Sequence, residues 1–377
     1  MSLSSIFESY PARLREFIGR TAHAPALPAN DEGEFNSLAL DLFELHYTHN
    51  PAYRALCLAR KRLPIDVTDW REIPAVPAVA FKAMEMTVLC PDERTTTFHS
   101  SGTTGDEPSR HFHCEASLAI YESSLLPWFQ AHLLPETLSG EKAFAFIAIT
   151  PPADLAPHSS LAHMFDTVRR RFGGGHFAFT GEPALEDGWR VNHEATLRHL
   201  REATARGLPV VLLGTAFNFV HLLDHLSDDG LRLNLPAGSR VMETGGYKGR
   251  SRELPRPELH AFLSERLGIA REFIVCEYGM SELSSQAYDH VAGAPVSDPA
   301  HRTFRFPPWA RAQIVSPETG TEVDDGGTGL VRVLDLANVA SAAALQTEDL
   351  AVRSGGGFEL LGRATEAEPR GCSLMSI

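Results

Sequence analysis

Between residues 115 and 334 the chain alternates short apolar runs with helical patterns, and this constrains the fold more than any other feature. Strand-like runs fall at 143–149, 209–213, 240–243, 273–276 and 330–334, and helical patterns at 115–131, 159–172, 194–206, 216–229 and 256–267. Such alternation predicts α/β layers with parallel strand pairing. Open sheets of that kind hold ligands outside the carboxyl ends of their strands. Two polar segments directly follow predicted strands: Thr244-Gly245-Gly246-Tyr247 and Tyr278-Gly279-Met280-Ser281-Glu282.

Upstream, residues 1 to about 70 read as helical, with Phe35, Leu38, Leu42, Phe43 and Leu45 at helical spacing before an Asn50-Pro51 break. Pro74 and Pro77 then impose extended backbone toward a strand near 95–99. That strand runs into Ser100-Ser101-Gly102-Thr103-Thr104-Gly105. Glycines there allow successive N–H groups to converge on one anion, and the hydroxyls donate further hydrogen bonds, so the segment suits phosphate oxygens. It lacks the spacing and lysine of a Walker A loop.

The length of 377 residues and 43% apolar content predict one large or two unequal domains. A net charge of −14, from 34 basic and 48 acidic residues, argues against a broad nucleic-acid or anionic-membrane surface. Cys57, Cys90, Cys114, Cys276 and Cys372 form no C-x-x-C pair, which fits a reduced, cytoplasmic protein, and the first four read as buried and inert. Neither a signal peptide nor a membrane span is expected, because no apolar run approaches about 18 residues.

Taken in order, the 100–105 loop, Glu277-Tyr278-Gly279-Met280-Ser281-Glu282, Gln346-Thr347-Glu348-Asp349-Leu350 and Leu361-Gly362-Arg363 resemble the adenylate-forming superfamily, whose members surround ATP with these segments. Ala337-Asn338 with Ser341, Thr347-Glu348-Asp349-Leu350 and Arg370-Gly371-Cys372-Ser373-Leu374 resemble, more narrowly, the acyl-protein synthetases of bacterial luminescence. This resemblance spans the chain from about residue 70 to its end. It implies an α/β fold with mixed and parallel sheets and flanking helices. Residues 1–70 would form a helical segment packed on an adenylate-forming domain at 71–362, followed by a short segment at 363–377.

The resemblance also implies roles. Ser101, Gly102, Thr103, Thr104 and Gly105 would cradle the β- and γ-phosphates of ATP, Ser281 would touch the α-phosphate, and Glu282 would hold Mg²⁺, a metal suited to carboxylate oxygen. Asp349 would accept the ribose hydroxyls, with Gly279 and Arg363 beside the nucleotide. Gly245, Gly246 and Tyr247 occupy the adenine position and Tyr278 would supply the opposing stacking face, while either tyrosine reads equally well as a core residue. Cys372 would carry the acyl group as a thioester toward an acyl reductase, its ionisation favoured by Arg370.

Two departures bear on the chemistry. The lysine usual after the glycine loop is missing, leaving Arg110 as the nearby cation, and only fourteen residues follow Arg363 where a lysine-bearing lid is expected. The alternatives are therefore a coenzyme A or carrier-protein ligase of the phenylacetate-ligase type, or a non-catalytic nucleotide-binding subunit of a reductase. Elsewhere, His221 and His225 lie one helical turn apart without a third metal ligand, and read as polar positions on an amphipathic helix. His111 and His113 share one face of a strand, open to a substrate pocket or to a half-exposed sheet. Arg169-Arg170-Arg171 reads as a solvated helix end.

Overall fold

The computed structural model describes residues 3–22, 29–100, 107–140, 142–184, 189–245, 252–296 and 301–364. From the N-terminus, helices α1 (Leu3–Thr21), α2 (Ala29–His49) and α3 (Pro51–Ala59) lead to β1 (Val76–Pro77), the short α4 (Ala80–Ala83) and a hairpin of β2 (Thr96–His99) and β3 (Arg110–His113). Next come α5 (Glu115–Leu133), β4 (Ala145–Ala148), α6 (Ser160–Phe172), β5 (Phe177–Phe179) and the hairpin of β6 (Gly181–Pro183) and β7 (Trp189–Val191). The alternation continues through α7 (His193–Ala205), β8 (Val210–Thr215), α8 (Ala216–Asp228), β9 (Arg240–Thr244), α9 (Arg256–Leu267) and β10 (Ile274–Tyr278). The last strands are β11 (Ala287–Tyr288), β12 (Ala310–Val315), β13 (Thr328–Asp335), β14 (Ala344–Ser354) and β15 (Gly357–Arg363).

Six strands form one sheet in the order β11-β10-β9-β8-β4-β5, parallel except for β11. Its central strands are buried on both faces, which is why they read as continuous apolar runs. Val210, Leu212, Val241 and Ile274 pack with Phe219, Leu223 and Leu263 of α8 and α9. The alternate residues Val211, Leu213, Met242 and Val275 pack with Leu125, Phe129, Met164 and Phe165 of α5 and α6. Each such side chain contributes roughly 1.5–3 kcal/mol by leaving water.

Local signals set the element ends. Asn50 caps α3 by accepting from Tyr53 N, with Pro51 at the first helical position, so the sequence break is a cap. Thr215 and Asn218 form a reciprocal cap that starts α8 directly at the end of β8.

A second sheet runs β1-β14-β13-β12, with β15 paired to β14. Of these strands only β13 stands out in the sequence as an apolar run. Gly355 and Gly356, with φ of 49° and 79°, make the tight turn between β14 and β15. The N-terminal helices share a core with this sheet: Leu14, Phe17, Leu38 and Leu42 lie in one cluster with Val331, Val333 and Leu345. Polar contacts reinforce the junction. The Tyr10 hydroxyl donates to Leu336 O, Asn50 Nδ2 donates to Ser341 O, and His46 bridges Val339 O and Ala343 N.

Candidate active site

Strands β9 and β10 run parallel and end together, Glu277 pairing with Thr244. Gly245 and Gly279 therefore emerge side by side beyond the carboxyl edge of the sheet. The second sheet closes the space from the other side, because β14 brings Asp349 opposite Arg363 of β15. A cavity of about 370 Å³ lies between them, lined by Ala216, Glu243, Gly245, Arg256, Glu277, Tyr278, Gly279, Phe304, Asp349, Gly362 and Arg363. Five residues singled out from the sequence thus converge: Gly245, Tyr278, Gly279, Asp349 and Arg363.

The Tyr278 ring packs against Phe304, Phe306 and Phe358, and its hydroxyl donates to Asp349 Oδ2 at 2.7 Å. Burial and the adjacent carboxylate push its pKa well up, so it stays a donor. Arg363 Nε approaches the other Asp349 oxygen at 3.7 Å. Behind them, the Thr244 hydroxyl donates to Glu277, whose pKa is pushed up to about 7 by burial, against the Thr244 hydrogen bond and with help from Glu243. Burial also opposes the charge on Glu243, but His260 at 3.2 Å holds its pKa below the ordinary value.

One turn beyond, Ser281 Oγ donates to His99 O at 3.0 Å and lies 3.4 Å from Ser160 Oγ. Glu282 is buried, and its carboxylate accepts from the Ser109 hydroxyl. Burial raises its pKa, opposed by Ser109, Arg363 and Lys82. The flanks of the glycine loop therefore meet the Ser281–Glu282 pair: His99 ends β2, and Ser109 immediately precedes β3. Those flanks are tied together by Ser100 N donating to Ser109 O and Ser109 N donating to Ser100 Oγ. Ser101, Gly102, Thr103, Thr104, Gly105, Gly246, Tyr247 and Cys372 lie outside the described residues. A buried carboxylate beside hydroxyl oxygens is a hard donor set that fits Mg²⁺.

Arg110 sits on β3, 3.7 Å from Glu85 and over the Phe112 ring. Arg363 and Lys82 both favour the charged form of Glu282, and no sequence motif marks Lys82. His111 and His113 do share a face, their rings 4.4 Å apart, but both are buried. Burial lowers the pKa of His111 to about 4. Its Nδ1 donates to Ser281 O at 2.6 Å, a contact to the site that the sequence did not reveal.

Other expectations divide. His225 stacks on His193 and His221 packs on Phe217, and among the described residues no group of metal-ligating side chains gathers there. Arg169 and Arg170 pair with Asp166 in the last turn of α6. Cys57 and Cys276 are buried with raised pKa values. Cys90 is exposed and Cys114 half-buried, correcting the expectation of burial: Cys90 precedes the surface turn Pro91–Glu93, and Cys114 stands at the start of α5.

The family model "Acyl-protein synthetase, LuxE" matches residues 27–112 and 180–376. The chain belongs to this family. It is thereby a ligase of the acyl-protein synthetase class. Among curated relatives, a long-chain-fatty-acid–luciferin-component ligase of Aliivibrio fischeri is 21% identical over 90% of this chain and 86% of its own. A Photorhabdus luminescens protein of the same name is 36% identical over 22% of this chain and 71% of its own. Crystal structures of 2-hydroxyisobutyryl-CoA ligase share the fold. One with 2-HIB-AMP in the postadenylation state gives a TM-score of 0.63 at 12% identity, over 90% of this chain and 69% of that one. Another, with 2-HIB-AMP and CoA in the thioesterification state, gives 0.65 over 89% and 69%, also at 12% identity. Among the described residues, no helix is long and apolar enough to cross a membrane.

Proposed function

We propose that this LuxE-family protein uses ATP to adenylate a carboxylic acid, a fatty acid by analogy with its relatives, and passes the acyl group through a Cys372 thioester to an acyl-reductase partner. The observation that carries this reading is the convergence of Gly245, Tyr278, Gly279, Asp349 and Arg363 on one cavity, with Glu282 beside the flanks of the glycine loop.

In the first half-reaction a substrate carboxylate oxygen attacks the α-phosphorus, the bond to the bridging β-phosphate oxygen breaks, and pyrophosphate leaves. Asp349 receives the ribose hydroxyls, with Tyr278 fixing one of its oxygens and Arg363 near the other. Ser281 and the loop residues Ser101, Gly102, Thr103, Thr104 and Gly105 orient the phosphates. Mg²⁺, held by Glu282, would supply charge neutralisation on the triphosphate. Arg110, on the strand leaving the loop, adds positive charge at its edge.

In the second half-reaction the Cys372 thiolate attacks the acyl carbonyl, a carbon–sulfur bond forms, and AMP leaves. The reductase then takes the acyl group from sulfur. Intact mass measurement after incubation with ATP, Mg²⁺ and a panel of acids tests this directly. The reading expects one added acyl group, cleaved by neutral hydroxylamine and mapping to the C-terminal peptide. Cys372→Ser should lose it while keeping acyl-adenylate formation. Equal onward transfer by wild type and variant would instead favour direct delivery to coenzyme A or a carrier protein.

A further inference from the structure

The segment Ala337-Asn338 with Ser341 marks the family resemblance, yet the reaction described above gives it no task. In the structure it grips the turn that carries Ser281 and Glu282. Asn338 Nδ2 donates to Glu282 O and to Ala342 O, both at 2.9 Å, while its Oδ1 accepts from Ser284 Oγ at 3.1 Å. Only this amide orientation satisfies two carbonyls and a hydroxyl together. At the end of β13, Asp335 accepts from Ser284 N at 2.9 Å with one oxygen, and from Ser285 Oγ at 2.7 Å and Ala337 N at 3.0 Å with the other. From the opposite side His111 Nδ1 donates to Ser281 O at 2.6 Å.

All three gripping side chains are essentially excluded from solvent, at 0–1% exposure. Burying a carboxylate is costly unless its hydrogen bonds are made, and Asp335 receives three. Four of the five residues from 281 to 285 are thus fixed by side chains from distant parts of the chain. The grip is braced from beneath: Asn50 and His46 of the N-terminal helices, and Val88 N, hold the carbonyls of residues 339–341.

We propose that Asn338, Asp335 and His111 are positioning residues for adenylation, clamping the 281–285 turn so that Ser281 and Glu282 meet His99 and Ser109 in one fixed register. The proposal rests on the reading of Glu282 as the metal-holding acid. Residues that orient a metal-holding side chain typically affect metal affinity or activity by roughly ten- to a hundred-fold.

The test is acid-dependent ATP–pyrophosphate exchange by the full chain, titrated with Mg²⁺ at saturating ATP and acid, with thermal melting run in parallel. Asn338→Ala and the milder Ser284→Ala should raise half-saturating Mg²⁺ roughly ten-fold, leaving KM for the acid unchanged. His111→Leu should do the same, and His111→Asn, which restores a donor near Nδ1, should recover most of the loss. A merely structural role would lower the melting temperature and the active fraction without moving half-saturating Mg²⁺. That result in soluble Asn338→Ala or Ser284→Ala overturns the proposal. Glu282→Gln separates the two levels. If it leaves the Mg²⁺ dependence unchanged, the reading of Glu282 falls and takes the clamp's role with it; if it shifts the dependence while the clamp variants do not, only the clamp fails.

Discussion

Tyr278 donates its hydroxyl proton to Asp349 Oδ2 across 2.7 Å, joining the end of the parallel sheet to the middle of β14. Seventy-one residues apart in sequence, the two groups close one side of the cavity. The bond directs Asp349 inward and leaves its other oxygen near Arg363. Tyr278→Phe removes one hydrogen bond to a carboxylate, worth about 1.5–3 kcal/mol. With Asp349 as the ribose acceptor, KM for ATP should rise about ten-fold or more in pyrophosphate exchange while KM for the acid stays put. An unchanged KM for ATP would show that Asp349 needs no such support.

Glu277 should make stability fall as pH rises from about 4.5 to about 7. Its pKa is pushed up to about 7 by burial, opposed by Thr244 and reinforced by Glu243. The folded chain therefore holds a proton that the unfolded chain releases near 4.5, so this stability is present below about pH 4.5 and lost as pH rises to about 7. Glu277→Gln should melt higher than wild type at pH 8, by at most about 3 kcal/mol in stability, with the gap closing toward pH 5. Parallel curves for the two proteins would contradict this.

Acid should act through buried histidines. Burial lowers the pKa of His46, His111 and His132 to about 4 each. Stability from these neutral rings is full above about 6.5 and lost as pH falls toward 4, at about 1.4 kcal/mol per pH unit for each proton taken up on unfolding. His132 lies away from the site, with Nδ1 donating to Trp128 O and its ring on Tyr288. His132→Gln should shallow the acid limb of a denaturation series by about one proton, and an identical slope would rule out its contribution.

Gly279 has a steric reason. A Cβ there would collide with Glu277 Oε1, and Gln286 Cγ stands at 3.6 Å. Gly279→Ala should cost activity and stability, roughly 1–3 kcal/mol as an overpacked site. Because the obstacle is the end of a side chain, adding Glu277→Ala should recover part of the loss, measured as a double-mutant cycle by melting. Strict additivity would place the strain elsewhere.

The parallel sheet and its helices were legible because strands buried on both faces leave continuous apolar runs, as in Val210–Thr215 and Ile274–Tyr278. Strand β14 was not: Glu348, Asp349 and Arg353 leave it half-exposed and charged, so Thr347-Glu348-Asp349-Leu350 registered as a motif without an element. The candidate site was legible where motifs follow strands. Its supports were not, since His46 meets Val339 across 293 residues and His111 meets Ser281 across 170, distances at which sequence carries no local signal. Lys82 escaped for a similar reason, its effect on Glu282 arising only when the chain folds.

If the cavity bounded by Asp349, with Glu282 at the neighbouring loop flank, binds the nucleotide on which an acid is activated, loss of either carboxylate must impair that activation. Acid-dependent exchange of labelled pyrophosphate into ATP measures that step alone, without Cys372 or a partner. Wild type should exchange with at least one acid of a panel, and Asp349→Ala and Glu282→Ala should each impair it, Glu282→Ala chiefly through its Mg²⁺ requirement. Unimpaired exchange in both variants, with wild type active, would contradict the assignment of this cavity.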